Sequence, residues 1–309
     1  MQSMTIGDVE VFRINELDVE TLTMEDLLPE HDPAAFDRDR ELLVPEHWDP
    51  ENNTWRASIA VYVLRSAGQT VLIDTGVGNH KERPHFPPFT HLETDFLRHL
   101  EAVGIQPDDV DVVINTHLHV DHTGWNTQLQ GRDWIPTFPK ATYYLPRADV
   151  EFWDPRNGYE QRGGLANKNV FEDSVDPIIQ ADLAKIWDDD LLRVDENLTL
   201  VAANGHTPGS HIVEVESRGE RALFVGDVAH CPLQIIDPKL DSCFDEDPIE
   251  ARRTRTRAHV LSRAADTNAL VFAAHFRGGQ AAEVQRRGTG FKITGWTPYT
   301  TRDNAYGTQ

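Results

Sequence analysis

Cysteine, long apolar runs and basic residues are all scarce in this chain of 309 residues. Its two cysteines cannot build the disulfide framework that stabilises small secreted domains. No apolar run approaches the length of about 18 residues that a membrane-spanning helix needs. The N-terminus lacks the basic stretch and apolar run that mark a signal peptide. These absences predict a cytoplasmic protein without a membrane anchor.

Basic residues are outnumbered: 29 Lys and Arg stand against 51 Asp and Glu, so the formal net charge is -22. A surface this negative repels nucleic-acid phosphates and anionic lipids. We therefore expect a small-molecule substrate, with neither nucleic acid nor membrane among the partners. The hydrophobic fraction of 39% is that of an ordinary globular protein with a sizeable core.

Short apolar strands occur both in runs and in alternation with helices, a pattern that favours an α/β fold with two helix-covered sheets. Residues 58–76 read as a hairpin. Helices are predicted over 90–103, 147–153, 178–187 and 248–264. Residues 16–57 lack periodicity but contain aromatic residues, which favours an ordered arm. We expect an N-terminal strand and extended arm over 1–56 and a larger domain over 57–309, packed as one compact unit.

The segment richest in potential metal ligands is THLHVDHTG, residues 116–124, directly after an apolar strand. His117, His119, Asp121 and His122 place three imidazoles and a carboxylate within six residues. These groups are good ligands for Zn²⁺ and similar divalent ions. A tight turn here lets His117 and His119 reach one ion while the other two side chains reach a second.

Three further acceptors follow other predicted strands. His206 lies in the Gly/Pro turn GHTPGSH, Asp227 ends the strand LFVGD, and His275 ends the strand VFAAH. Loops at strand ends are where α/β proteins build their sites. These three residues are therefore the candidates that complete a metal site.

Together these motifs resemble the metallo-β-lactamase superfamily, over residues 57–275. The resemblance implies an αββα sandwich with a dinuclear metal site. It implies that the ligands are His117, His119 and His206 for the first ion, Asp121, His122 and His275 for the second, and Asp227 as the bridge. Asp74 matches the family's aspartate that supports the metal histidines. From the residues alone, Asp74 is equally an aspartate that caps a turn before Gly76.

The resemblance also implies a cofactor and a reaction. Two divalent metal ions are expected, zinc first, although Mn, Co and Fe suit the same ligands. The expected activity is hydrolysis of a lactone or carboxylic ester by attack of a metal-bridging hydroxide, with Asp121 relaying a proton to the leaving group.

Four sequence segments resemble those of the branch that contains N-acyl homoserine lactonases and methyl-parathion-hydrolase-like enzymes. They are GWNT (124–127), GHTPGSH (205–211), GDVAHCPLQ (226–234) and DPIEARRTR (247–255). The lactonases of this branch carry a tyrosine three residues after the bridging aspartate, where it contacts the substrate carbonyl. His230 occupies that position here and is the candidate catalytic donor.

Three alternatives stay open: a phosphotriesterase, a glyoxalase-II-like thioesterase on the same site, and a non-catalytic binding protein of the same fold. The basic helical region that such thioesterases carry at the C-terminus is not evident in residues 289–309.

The remaining expectations concern the substrate pocket, the oligomeric state and one helix surface. A substrate pocket is predicted from Trp48, Trp55, Phe86, Trp125 and Trp153. The arm is compatible with a homodimer, and Arg252, Arg253, Arg255 and Arg257 are expected on a solvated, acid-paired helix.

Overall fold

Consecutive apolar strands pair as hairpins and form the centre of the fold. The computed structural model describes residues 2–30, 32–162, 166–256 and 260–301. Residues 57–66 and 69–73 form two such antiparallel strands. Ala67 and Gly68 between them both have positive φ, which is the geometry of a two-residue hairpin turn.

The strands of the described residues are β1 (Gln2–Ile6), β2 (Val9–Val19), β3 (Trp48–Asp49), β4 (Thr54–Trp55), β5 (Ala57–Ser66), β6 (Gln69–Ile73), β7 (Val112–Ile114), β8 (Thr127–Gln130), β9 (Asp133–Pro136), β10 (Thr142–Pro146), β11 (Ala184–Trp187), β12 (Leu191–Arg193), β13 (Leu198–Ala202), β14 (His211–Ser217), β15 (Glu220–Gly226), β16 (Leu270–Ala273), β17 (Gln280–Arg287), β18 (Gly290–Pro298) and β19 (Thr300–Thr301). The α-helices are α1 (Met24–Leu27), α2 (Pro33–Arg38), α3 (Arg40–Leu43), α4 (Phe96–Ala102), α5 (Arg147–Trp153), α6 (Asp176–Gln180), α7 (Leu233–Ile236), α8 (Pro248–Thr256) and α9 (Leu261–Thr267).

Two large sheets carry the fold. One has the strand order β11-β10-β7-β6-β5-β2-β1-β19, and the other the order β12-β13-β14-β15-β16-β17-β18. In the first sheet β6, β7 and β10 run parallel, and in the second β15 runs parallel to β16. Because parallel neighbours end at the same edge, the segments that follow them are brought together there.

The sheets pack face to face, with helices on their outer faces. Along β2, Val9 and Val11 face the second sheet, whereas Phe12 and Ile14 face the layer that contains α4. On the far side, Leu261 of α9 packs against the outer face of the second sheet. The helix, sheet, sheet, helix layering confirms the predicted αββα sandwich, in a single domain.

The N-terminal segment is built into this sandwich. Strand β2 pairs with β5 as far as Val19, well into the stretch 16–57 that is predicted to form the arm. The short elements α1 to β4 follow, and their buried side chains include Met24, Phe36 and Trp55. These pack with Val120 and Cys231 in one hydrophobic cluster, so the predicted arm lies over the edge that follows the parallel strands.

Three predicted helices differ from the structure. Residues 184–187 form β11, a parallel edge strand beside β10, and α6 ends at Gln180. The helix expected from Thr90 begins only at Phe96, because the Thr90 hydroxyl instead bonds to the backbone of Arg83. The helix expected over 248–264 is two helices, α8 and α9, and its residues 257–259 lie outside the described residues.

A buried histidine in the N-terminal segment makes stability depend on pH. Burial lowers the pKa of His47 from 6.5 to about 3, and the Arg277 guanidinium acts in the same direction. Because the folded state keeps this ring neutral, its contribution to stability is complete above pH 6.5 and is lost as the pH falls towards 3.

We therefore expect the wild type to lose unfolding free energy in acid through His47, a loss that the His47→Phe variant does not show. Between pH 7.5 and 5.0 the wild type should lose about 2 kcal/mol more unfolding free energy than the variant. Urea titrations at both pH values, with chelator present, measure this difference. Equal losses in the two proteins would contradict the role of His47.

No helix among the described residues is long and apolar enough to cross a membrane.

Candidate metal centre

The candidate ligands meet where the parallel strands of both sheets end. The loop after β7 carries His117, His119, Asp121 and His122, and the turn after β13 carries His206. Asp227 directly follows β15, and His275 follows the neighbouring parallel strand β16. All seven side chains predicted from the sequence as ligands therefore lie together at one edge of the sandwich.

One group of ring nitrogens converges on His119. Its Nδ1 atom lies 3.1 Å from Nε2 of His117 and 2.9 Å from Nε2 of His206. An Asp227 oxygen lies 3.4 Å from the same His206 nitrogen. The ligand atoms of these four residues all lie within 4.8 Å of one another.

A second group surrounds the other side of Asp227. His275 Nε2 lies 3.0 Å from Asp227 Oδ2 and 3.6 Å from Asp121 Oδ2. His122 Nε2 lies 3.3 Å from Asp227 Oδ1 and 3.7 Å from Asp121 Oδ1. Asp227 is thus in reach of both groups, as a shared ligand must be.

The chemistry of these side chains fits divalent metal ions. His122 Nε2 and Asp227 Oδ1 are buried without a hydrogen-bond partner among the described residues, a costly state for polar atoms unless they bind something. One nitrogen of His119 faces two other ring nitrogens, which a single hydrogen bond cannot satisfy. Clustered imidazole and carboxylate ligands are what zinc and similar ions bind.

The pKa values of several candidate ligands favour the binding of a cation. Burial lowers the pKa of His117 and His119 well below the ordinary histidine value, and their histidine neighbours act in the same direction. Burial opposes ionisation of Asp227, but His275, His122 and His230 hold its pKa well below the usual range. His117 and His119 are therefore neutral beside an ionised Asp227, which suits metal binding. At His122 and His275 burial is outweighed by the Asp227 carboxylate, which raises the pKa, so these two rings release a proton when a metal binds.

Asp74 supports two of the histidines. Its Oδ2 lies 2.8 Å from His122 Nδ1, and its carboxylate also accepts bonds from the backbone N–H and hydroxyl of Thr116. The Thr116 hydroxyl in turn lies 3.1 Å from His117 Nδ1. Asp74 thus orients the His122 ring directly and reaches His117 through one residue.

We expect Asp74→Asn to weaken metal binding by about 10- to 100-fold, because the amide cannot hold the His122 ring as the carboxylate does. Titration of the metal-free protein against a chromophoric chelator measures the affinity. Asp111→Asn is the matched control, since among the described residues the exposed Asp111 carboxylate accepts a single backbone bond, from Thr70. An Asp74→Asn variant with the affinity of the control would contradict this role.

Two buried carboxylates behind the centre were missed from the sequence. Asp149 accepts bonds from the backbone of Leu118 and Gly209 and from the Thr207 hydroxyl, so it joins the two loops that carry histidines. Asp245 Oδ1 lies 3.1 Å from His206 Nδ1. Neither residue belongs to a recognisable local motif.

A largely apolar cavity of about 680 Å³, including its open mouth, adjoins the centre. His119, Asp121, Asp227, His230 and His275 form its polar end. Its apolar wall is formed by Val19, Leu22, Trp55, Ala57, Ile59, Phe86, Phe89, Val120, Ala166 and Phe244. No Lys or Arg is among the described residues that line it.

The five aromatic residues predicted for the pocket divide into two groups. Trp55 and Phe86 line the cavity. Trp48 instead packs behind Trp55 as its strand partner, and Trp125 stacks on Phe96 in the core, with its N–H bonded to Glu16. Trp153 lies edge-on to the ring of His119, with 5.1 Å between ring centroids, and lines a neighbouring surface cleft.

His230 lies in the cavity wall beside Asp227. Its Nε2 is 3.3 Å from Asp227 Oδ2, and its ring stacks on that of His275 at 5.6 Å. Neither ring nitrogen has a hydrogen-bond partner among the described residues. Burial lowers the pKa of His230, so the ring is neutral and keeps one N–H to donate.

The arginines of α8 are not all solvated. Arg253 is exposed and pairs with Glu250, as expected. Arg252 is partly exposed and pairs with Asp241. Arg255, however, is fully buried, which corrects the expectation of an exposed row, and Arg257 lies outside the described residues.

Comparison with known proteins finds a family that matches most of the chain. A profile of the metallo-beta-lactamase superfamily matches residues 55–275. N-acyl homoserine lactonase AttM of Azorhizobium caulinodans is 30% identical over 149 residues, 45% of this chain and 49% of that protein. The match thus spans about half the length of that relative.

Two solved structures share the fold over 98% of both chains. One is AidC, a dizinc quorum-quenching lactonase in complex with the product N-hexanoyl-L-homoserine, at 19% identity and a TM-score of 0.75. The other is AbOPH, a hydrolase in the beta lactamase superfamily, at 23% identity and a TM-score of 0.77.

Proposed function

The chain belongs to the metallo-beta-lactamase superfamily, and from this premise we propose that it is a dinuclear metal-dependent hydrolase that opens a lactone or carboxylic ester. The observation that carries the proposal is the pair of ligand groups on either side of Asp227. The similarity to AttM and to AidC, both lactonases, favours the same bond type.

In this proposal His117, His119 and His206 hold one ion, Asp121, His122 and His275 hold the other, and Asp227 is shared. Zinc is the expected metal, because three imidazoles with a carboxylate suit it and because AidC is a dizinc enzyme. When bound, the two ions would supply a hydroxide near neutral pH and polarise the reacting carbonyl.

The chain's own side chains then divide the remaining work. Asp121 is half-buried in the cavity wall and is placed to carry a proton to the leaving oxygen. His230 presents its N–H to the substrate carbonyl from the same wall. Asp74 keeps the His122 ring in a fixed orientation.

The cavity favours an uncharged substrate with an apolar group. Its wall is mostly aliphatic and aromatic, as in sites that bind small apolar ligands. Glutathione thioesters carry two carboxylates, which would find no Lys or Arg partner among the described residues that line the cavity. In addition, residues 290–298 form β18, not the helical region of such thioesterases. A neutral phosphotriester meets the same conditions and is the second candidate.

A substrate panel on zinc-loaded protein tests the proposal. It contains short- and long-chain acyl lactones, aryl esters, an organophosphate triester, a glutathione thioester and a cephalosporin. We expect turnover of the lactones or esters, its loss with chelator and its return with zinc. Turnover confined to the thioester or the β-lactam, or turnover that chelator and metal analysis show to be metal-free, would refute the assignment.

A further inference from the structure

Arg255 on α8 is a fully buried cation, although arginine in proteins is normally exposed at the surface. Its Nε donates to the carbonyl of Val228 at 2.6 Å. One terminal nitrogen donates to the carbonyls of Pro238 at 3.1 Å and Leu240 at 2.6 Å. These three carbonyls lie on either side of α7, in the segment that follows Asp227, and together they fix the plane of the guanidinium.

The remaining terminal nitrogen of Arg255 lies 3.3 Å from Asp245 Oδ2. Asp245 is itself completely buried, and its Oδ2 also accepts a bond from the backbone N–H of Ser242. Its other oxygen faces His206 Nδ1 at 3.1 Å. A continuous chain of contacts therefore runs from a guanidinium held by backbone carbonyls to the ring of His206.

We propose that Arg255 is a positioning residue that sets the orientation of the His206 imidazole through Asp245, and thereby the affinity of the centre for the metal at His206. The carboxylate that faces a metal-binding histidine fixes its tautomer and direction. Here that carboxylate has its own orientation fixed by a planar group with donors in several directions, a role that the single ammonium of lysine cannot fill.

The inference rests on the proposed role of His206 as a metal ligand, and metal binding by the wild type tests that role separately. Cobalt(II) is the probe, because its visible absorption reports the geometry of its ligands as well as their affinity. Metal-free protein is titrated with cobalt in the wild type, Asp245→Asn, Arg255→Lys and the double variant. Substrate is not needed, so failure of the proposed reaction would leave this test intact.

We expect each single substitution to weaken one cobalt-binding step by about 10- to 100-fold and to change its spectrum. The double variant should bind cobalt no more weakly than the weaker-binding single variant, because both changes interrupt the same chain of contacts. A wild-type affinity and spectrum in Arg255→Lys, or losses that multiply in the double variant, would overturn the proposal.

Arg83→Lys is the matched control. Arg83 is equally buried and makes a two-pronged pair with Asp173, at 2.6 and 2.9 Å. This control should lose stability yet keep the wild-type cobalt affinity, and an equal loss of affinity would reduce Arg255 to a structural role. Should Arg255→Lys fail to fold, Asp245→Asn decides alone, since an unchanged affinity there overturns the proposal.

Discussion

Asp227→Asn is expected to lower turnover by about 10³-fold or more and to reduce the metal content of the purified protein below the two ions per chain of the proposed function. The substitution keeps the size of the side chain but removes the carboxylate charge that lies close to His206 of one group and to His122 and His275 of the other. Polarisation by a bound metal is worth several kcal/mol, and each 1.4 kcal/mol corresponds to a factor of ten in rate. Metal analysis and steady-state kinetics on the preferred substrate of the panel measure the two effects.

Asp189→Asn provides the control for this experiment, since Asp189 is an exposed aspartate between β11 and β12. The control should keep wild-type metal content and turnover. Because asparagine is nearly isosteric with aspartate, the far-UV circular dichroism of Asp227→Asn should match the wild type. Two retained ions together with near-normal turnover in Asp227→Asn would exclude a shared ligand at this position.

The second large effect concerns stability. Asp149 is completely buried, and its carboxylate accepts bonds from Leu118 N at 2.9 Å, Gly209 N at 2.6 Å and the Thr207 hydroxyl at 2.9 Å. Burial raises its pKa to about 6, so it remains largely ionised at pH 7.5. In Asp149→Ala all three donors lose their acceptor, which should cost about 3 kcal/mol or more in unfolding free energy.

The loss of Asp149 should also reduce the stabilisation that zinc gives, because this residue holds the loop of His117 to His122 against the turn of His206. Urea unfolding with and without zinc measures both quantities. Asp195→Ala is the comparison, since Asp195 also accepts two backbone bonds in a loop, from Asn197 and Leu198, but away from the centre. An equal fall in zinc stabilisation in both variants would show that Asp149 has no specific link to the ligands.

The parts of the centre that the sequence predicts are those with a local pattern. The residues from His117 to His122 directly follow an apolar strand, and their spacing alone marks the three histidines and Asp121 as candidate metal ligands. His206, Asp227 and His275 are recognisable because each follows a strand or stands in a Gly/Pro turn. The assignment of each residue to a particular ion stays a prediction.

What the sequence does not predict depends on contacts between distant segments. Asp149 on α5 and Arg255 on α8 look like the surface residues of polar helices, and only the packing of loops against them makes them buried. The error at 184–187 has a similar origin. The apolar residues there suit a helix face as well as an edge strand, and pairing with β10 decides between them.

The cavity and the centre come from largely different stretches of the chain. Val19, Leu22, Trp55 and Phe89 precede every one of the proposed ligands, which begin at His117. On the proposed function, the residues that select the substrate are therefore encoded largely apart from those that bind the metal ions. An exchange of residues 1–56 between relatives would alter the cavity wall formed by Val19, Leu22 and Trp55, while every proposed ligand and Asp74, which orients His122, would stay unchanged.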